Sequence, residues 1–492
     1  MTVEHFDVVI VGAGLSGIGA AVHLQTKCPG RTYAILEGRA AIGGTWDLFR
    51  YPGIRSDSDM YTLGYSFKPW TNAKAIADGP SIRSYVGDTA REHGIEPKIR
   101  FGHHVNSADW STADARWTVV ADQAGEARRF TCNFLFMCSG YYDYAGGYTP
   151  DFPGAGQFGG DFIHPQFWPE TLDYSGKRVV IIGSGATAVT LVPEMAKTAA
   201  HVTMLQRSPT YVVSRPAEDA FANRLRRWLP PMLAYGITRW KNVLLGMWFY
   251  GLTRRKPAMV KQRIIAMVQE ALGPDFDVGK HFTPRYNVWD QRLCLVPDAD
   301  LFEAIKSGRA SVATDTIKTF TKTGIELESG AVIDADVVVS ATGLKLQLLS
   351  GLIVSVDGIP TDIAKSLAYK GMMYSGVPNL ASSFGYTNAS WTLKCDLTCE
   401  YVCRLLNHMD RTGLRQATPR RNDPTITEEP WLDFSSGYVQ RSIEAFPKQG
   451  NKAPWKLHQN YAADIITLRL GKLDDGVLEF SNPEPAQPRI AA

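Results

Sequence analysis

A chain of 492 residues, 45% hydrophobic and 21% charged, has the composition of a globular enzyme and is too long for a single core. Its 52 basic and 49 acidic residues leave a formal charge of +3, a balance that argues against nucleic acid as a partner. Seven cysteines without a Cys-x-x-Cys pair argue against a disulfide framework, a zinc ribbon and a dithiol redox centre, and fit a reducing cytoplasm.

The N-terminus carries no basic stretch, and the apolar run Val8-Val9-Ile10-Val11 stops at a glycine loop. It reads as a first strand, not as a signal peptide. The loop is Gly12-Ala13-Gly14-Leu15-Ser16-Gly17. Gly12 permits a tight turn, Gly14 lets the backbone approach a pyrophosphate, and Gly17 lets helix and strand pack closely. The helix start then offers N–H groups and a partial positive charge to phosphate. A second strand, Thr32 to Leu36, ends at Glu37, twenty residues beyond Gly17. A carboxylate there accepts hydrogen bonds from a ribose diol and repels a 2′-phosphate, so this half predicts FAD or NAD and not NADP. Gly12, Gly14, Ser16, Gly17 and Glu37 are the expected contacts. Further along, Phe134 to Gly140 is an apolar run that stops at glycine, as buried parallel strands do.

A second loop, Gly183-Ser184-Gly185-Ala186-Thr187-Ala188, follows the run Val179 to Ile182, 171 residues after the first. Its next strand, Val202 to Leu205, leads into Gln206-Arg207-Ser208 with no carboxylate. A guanidinium grips a phosphate with a two-pronged fork and a serine adds a hydroxyl, so Arg207 and Ser208 predict NADPH in this half. Two dinucleotides in one chain imply electron transfer between them. The missing Cys-x-x-Cys pair speaks against a disulfide reductase.

Residues 214 to about 290 are rich in Arg, Trp, Leu and Met, and read as a helical insertion. Arg224, Arg226 and Arg227 precede an apolar stretch, and Arg254, Arg255 and Lys256 follow it. The longest uncharged run, Asn242 to Thr253, is too short to span a membrane. The insertion is expected to pack over the active site, with an interfacial helix on a membrane surface as the alternative. Trp240, Trp248 and Phe249 then either line a pocket for an apolar substrate or belong to a core. Asp336 to Gly343 repeats the strand-then-glycine ending. Cys395, Cys399 and Cys403 share one helix face and are expected to pack as small hydrophobes, with no metal site. The Pro- and Ala-rich tail from Asn482 is expected to fray.

The expected fold is α/β, with two dinucleotide-binding, Rossmann-like, three-layer domains and a helical insertion in the NADPH domain. FAD-binding segments cover 1–148 and 344–492, NADPH-binding segments 149–213 and 291–343, and the insertion 214–290.

Between the two loops lies Phe158-Gly159-Gly160-Asp161-Phe162-Ile163-His164-Pro165-Gln166-Phe167-Trp168-Pro169. It matches FxGxxxHxxxWP at every fixed position, here Phe158, Gly160, His164, Trp168 and Pro169, and resembles the fingerprint of type I Baeyer–Villiger monooxygenases. Gly43-Gly44-Thr45-Trp46 and Tyr51 to Asp57 are similar to that family's flavin-contacting stretch. The runs Asp290 to Pro297 and Gly385 to Thr392 resemble its ethionamide-activating branch. The resemblance spans nearly the whole chain. It implies FAD contacts from Gly44, Thr45, Trp46, Asp57 and Val105, and a C4a-peroxyflavin that oxidises ketones to esters or lactones and sulfides or thioamides at sulfur. It implies that Arg292 is the active-site cation and Asp57 its partner, and that His164 lies at the domain connection. Many ketone-oxidising relatives carry Lys where this chain has Gln291, so their substrate scope does not carry over; the alternative is a flavin monooxygenase whose main activity is S- or N-oxidation. The implied partners are O2 and an apolar ketone, sulfide or thioamide. The implied location is the cytoplasm, with peripheral membrane contact open.

Overall fold

The structure is a computed structural model, which describes residues 3–432 and 435–483. The tail from residue 484 on lies outside the described residues.

The chain builds the same plan twice. The first glycine loop leaves the strand Glu4–Val11, which pairs in parallel with Tyr33–Glu37 on one side and Glu126–Met137 on the other. Ile99–Phe101 extends one flank and Leu380–Ser382 pairs the C-terminal half of Glu126–Met137, both in parallel. The antiparallel strands His104–Ser111 and Arg116–Gln123 complete this nine-stranded sheet with two short strands from 353–360. The inner halves of its central strands are apolar because both faces are covered, one by the helices Leu15–Lys27, Gly79–Glu92 and Trp391–Thr412, the other by the antiparallel strands His104–Ser111 and Arg116–Gln123 with segments from 346–384 and 431–446. Val8, Val9 and Ile10 are fully buried, and alternate residues enter two different cores.

The second sheet has five strands in the order Ala310–Thr314, His201–Gln206, Arg178–Ile182, Val337–Ser340, Asp161–Ile163, all parallel. A three-stranded antiparallel meander over 317–334 accompanies it. Two linkers join the halves, Tyr142–Gly147 outward and Leu344–Leu346 back, and they pair with each other as an antiparallel ribbon.

The helices of the insertion do not stay with one sheet. Ala222, Tyr235 and Val243 enter a core of the first half, whereas Val268, Leu272 and Val278 enter the core of the second. Cys395, Cys399 and Cys403 are all buried on helix Trp391–Thr412.

Candidate active site

In open α/β sheets, ligands bind beyond the carboxyl ends of the strands. Both sheets here turn those ends toward one cleft of about 1240 Å³, lined by both glycine loops. Gly12 has φ +103°, and a Cβ there would lie 2.7 Å from the Cys138 carbonyl oxygen. A Cβ on Gly14 would stand 3.4 Å from the Gly44 Cα, so the two glycine backbones approach each other closely where side chains would crowd. Glu37 is buried, and its carboxylate accepts hydrogen bonds from the Ala13 N–H at 2.6 Å and the Arg39 N–H at 2.8 Å. Burial pushes its pKa up. This is a cradle that fits FAD: bare backbone for the pyrophosphate and one carboxylate at the ribose end. Ser16, Gly44, Thr45, Trp46 and Val105 line the same cleft.

Gly183, Ser184, Gly185, Ala186 and Thr187 line the opposite wall with Arg207 and Ser208. Gly183 has φ +136° and would strike the Ala341 carbonyl oxygen at 2.4 Å, whereas a Cβ on Gly185 would meet nothing within 4 Å. Arg207 is exposed and has no hydrogen bond or ion pair among the described residues. Open backbone beside a free guanidinium fits a nucleotide carrying a 2′-phosphate. Three residues of the two loop motifs, Ala13, Gly17 and Ala188, are not on the cleft surface. Gly17 and Ala188 lie beneath it, where a missing Cβ and a single methyl serve helix-to-strand packing.

Between the walls, the Arg292 Nε donates to Asp57 Oδ2 at 3.0 Å, and Nη2 makes a second, shorter bond to the same oxygen. The two residues are 235 positions apart in the chain. Asp57 comes from a segment that bridges the halves, since Arg55 bonds Asp300 on a helix of the second half. The charge of Asp57 raises the Arg292 pKa above its already high value, so the guanidinium stays protonated.

Sequence reasoning missed the aromatic wall around this pair. The Tyr141 and Tyr142 hydroxyls lie 3.1 Å apart, and Tyr141 stacks on Trp391 with ring centroids at 5.0 Å. Trp391 in turn donates from Nε1 to Ser16 Oγ at 3.0 Å. Burial pushes Tyr142 to about 12 and the Tyr141 and Tyr438 phenols higher, so all three stay neutral. The run Tyr141-Tyr142-Asp143-Tyr144 directly after Gly140 was a usable signal. Tyr438 had none, because it arrives from a separate C-terminal segment. Asp47 was also missed. Burial raises its carboxyl, but Arg39, Arg83 and Arg50 offset this and hold it below the usual range beside the FAD wall.

Phe158, Gly160, His164, Trp168 and Pro169 do not line the cleft. Asp161–Ile163 forms the edge strand of the second sheet, and Phe158 packs on Phe320 with centroids at 6.0 Å. A Cβ on Gly160 would stand 2.2 Å from the Asp336 carbonyl oxygen. Trp168 meets Tyr174 edge-on at 6.4 Å, and the Pro169 carbonyl accepts the Leu172 N–H at 3.1 Å. His164 spans both linkers: its Nε2 meets the Gly343 carbonyl at 3.1 Å, and a Cβ on Gly147 would lie 1.9 Å from its ring.

The insertion does not roof the cleft. Of residues 214–290, Tyr286 alone lines it among the described residues. Trp240 and Trp248 are neither pocket nor core, with 46% and 65% of their surface exposed. The inward face of their helix mixes core residues such as Val243 with polar anchors. Arg239 donates to the Tyr61 and Gly64 carbonyls at 2.9 and 2.8 Å.

The profile of the flavin-binding monooxygenase-like family matches residues 77–357, and an NAD(P)-binding Rossmann-like profile matches residues 10–78. The chain is 56% identical to the FAD-containing monooxygenase EthA of Mycobacterium tuberculosis (strain ATCC 25618 / H37Rv), over 98% of this chain and 99% of that one. It is 50% identical to the probable FAD-binding monooxygenase AlmA of Acinetobacter baylyi, over 97% and 96% of the two chains. Among solved structures, an oxidized steroid monooxygenase bound to NADP shares the fold with TM-score 0.77 at 21% identity, covering 97% of this chain and 100% of that one. A closed cyclohexanone monooxygenase gives TM-score 0.69 at 20% identity, over 85% and 87%. Two glycine cradles on one cleft, and relatives matched end to end, lead to one conclusion: the chain belongs to the flavin-binding monooxygenase-like family and is an FAD- and NADPH-dependent monooxygenase.

Proposed function

We propose that the cleft oxidises apolar substrates, inserting one atom of O2 beside a ketone carbonyl to give esters or lactones and oxidising sulfides or thioamides at sulfur, with Arg292 and Asp57 at the reacting centre. The observation that carries this reading is a guanidinium held by a single carboxylate in the cleft that both dinucleotide cradles line. When bound, FAD reduced by NADPH supplies the activated oxygen. Attack on a ketone places negative charge on the former carbonyl oxygen. A cation that cannot lose its proton stabilises that charge, and Arg292 is such a cation. Asp57 fixes the fork of the guanidinium so that no reorganisation is needed when charge develops. Tyr141, Tyr142 and Trp391 form an apolar wall that excludes water.

Sulfur oxidation places no comparable charge on a carbonyl oxygen and makes no such demand on Arg292. Parallel assays of one ketone and one sulfide therefore test the reading. Arg292→Ala should lower ester formation by about 10²–10³ with FAD retained and sulfoxide formation far less affected. Full ester formation in this variant would remove Arg292 from the mechanism. Gln291, where many ketone-oxidising relatives carry Lys, favours a second reading in which S- or N-oxidation is the main activity. Product ratios on the same substrate pair across pH separate the two.

We further infer a cytoplasmic enzyme in peripheral contact with a membrane surface. No helix among the described residues is long and apolar enough to cross one.

A further inference from the structure

The helix Pro231–Arg255 turns an apolar stripe outward. Leu233, Ile237, Trp240, Leu244 and Trp248 follow at helical spacing on one face, and that face points outward, each residue between 40% and 65% exposed. The opposite face mixes buried Ala234 and Val243 with polar groups. Arg239 is buried against Asp396 at 3.3 Å, Tyr235 donates to the Tyr65 carbonyl at 3.0 Å, and Asn242 donates to Asp59 at 2.9 Å. A soluble helix normally does the reverse, so the outward stripe is not left over from packing. Trp228, just before the helix, is 81% exposed.

Along the sequence this stretch has charge of one sign, although Arg239, Lys241 and Arg254 are paired with Asp396, Asp219 and Asp290 from outside it. Residues 220–269 contain ten Lys or Arg and no Asp or Glu, in a chain whose formal charge is only +3. Arg224 and Arg227 stand exposed before the stripe, and Arg255 and Lys256 stand exposed after it. None of these four has an ion-pair partner among the described residues. An apolar stripe with tryptophans, bounded at both ends by free cations, complements one kind of surface: a bilayer interface rich in anionic headgroups.

We propose that this helix lies flat on an anionic lipid surface, with the stripe Leu233, Ile237, Trp240, Leu244 and Trp248 sunk to the acyl boundary and the cations at its ends on lipid phosphates. This rests on the peripheral contact inferred above and assigns its residues and lipid chemistry. The cleft lies elsewhere on the molecule, so docking leaves the dinucleotide walls free.

Flotation of the FAD-loaded full chain with vesicles tests it. Vesicles of equal phosphatidylcholine and phosphatidylglycerol should carry the protein, pure phosphatidylcholine vesicles should carry at least about tenfold less, and high salt should release it. Leu244→Ser with Trp248→Ser should lower partitioning about tenfold or more, and so should Arg227→Ser with Arg255→Ser and Lys256→Ser. FAD content and NADPH oxidation in solution should stay unchanged in both sets, which separates lost docking from a misfolded or inactive enzyme. No flotation with the anionic vesicles, or flotation that ignores both sets of substitutions, overturns the proposal. A stripe-dependent dimer in light scattering without vesicle binding also overturns it, by making a second copy the occupant.

Discussion

A Cβ on Gly17 would stand 1.8 Å from the Gly12 carbonyl oxygen, against backbone that cannot yield. Gly17→Ala should therefore force the first helix off its strand, at roughly 1–3 kcal/mol or more, and the purified variant should lose FAD by its visible absorbance. Gly185→Ala makes the opposite case, because no atom lies within 4 Å of its Cβ. Folding and FAD content should be unaffected, while KM for NADPH rises as the methyl enters the space a pyrophosphate would occupy. Arg207→Ala should also raise that KM, by roughly tenfold or more for one lost charged hydrogen bond, and an unchanged KM would reassign the phosphate-binding role. These glycines were legible in the sequence because the need for a bare Cα is local. Tyr438 was not, since its approach to Arg292 depends on a C-terminal segment that only the tertiary fold brings there.

At the scale of elements, the linker ribbon shows what the histidine of the fingerprint touches. His164 Nδ1 accepts the Gln166 N–H at 3.2 Å, so in the neutral ring Nε2 carries the proton and donates to the Gly343 carbonyl. Burial lowers its pKa below the usual value. The neutral ring's contribution is thus fully present above the unfolded value of about 6.5, and is lost as pH falls through that value toward the lower folded one. The Tm advantage of the native protein over His164→Gln should accordingly shrink between neutral pH and about pH 5.5. A gap that stays constant with pH would show that His164 does not titrate at this junction. Gly147 belongs to the same contact and carried no sequence motif. Its demand for a missing side chain comes from a ring on the far linker.

The whole molecule is two copies of one sheet plan with a helical insertion divided between their cores. The order of strands and glycine endings made the duplication legible. The orientation of the insertion was not, because its apolar residues matched a core and its buried polar ones matched a surface. What decides the orientation is a charged network that sequence patterning cannot see. Asp396 is 2% exposed and meets Arg239 at 3.3 Å, His23 at 3.3 Å and the Ser66 N–H at 3.1 Å, joining three distant stretches of the chain. Arg239 Nη1 also donates to the Tyr61 and Gly64 carbonyls. Burial raises the Asp396 carboxyl, yet His23 and Arg239 outweigh it and keep it ionised. Arg239→Met keeps the length of the side chain and removes its charge, leaving Asp396 buried with its main cation gone. That should cost about 3–5 kcal/mol. The loss should appear first as faster amide exchange over 231–255, with the strands of both sheets still protected. Arg239→Met with Asp396→Leu removes both charges and should recover much of the stability, since a buried pair replaced by apolar groups is often neutral. If the double variant exchanged as fast as the single one, the helix would be held by its apolar contacts to the first core and not by this network.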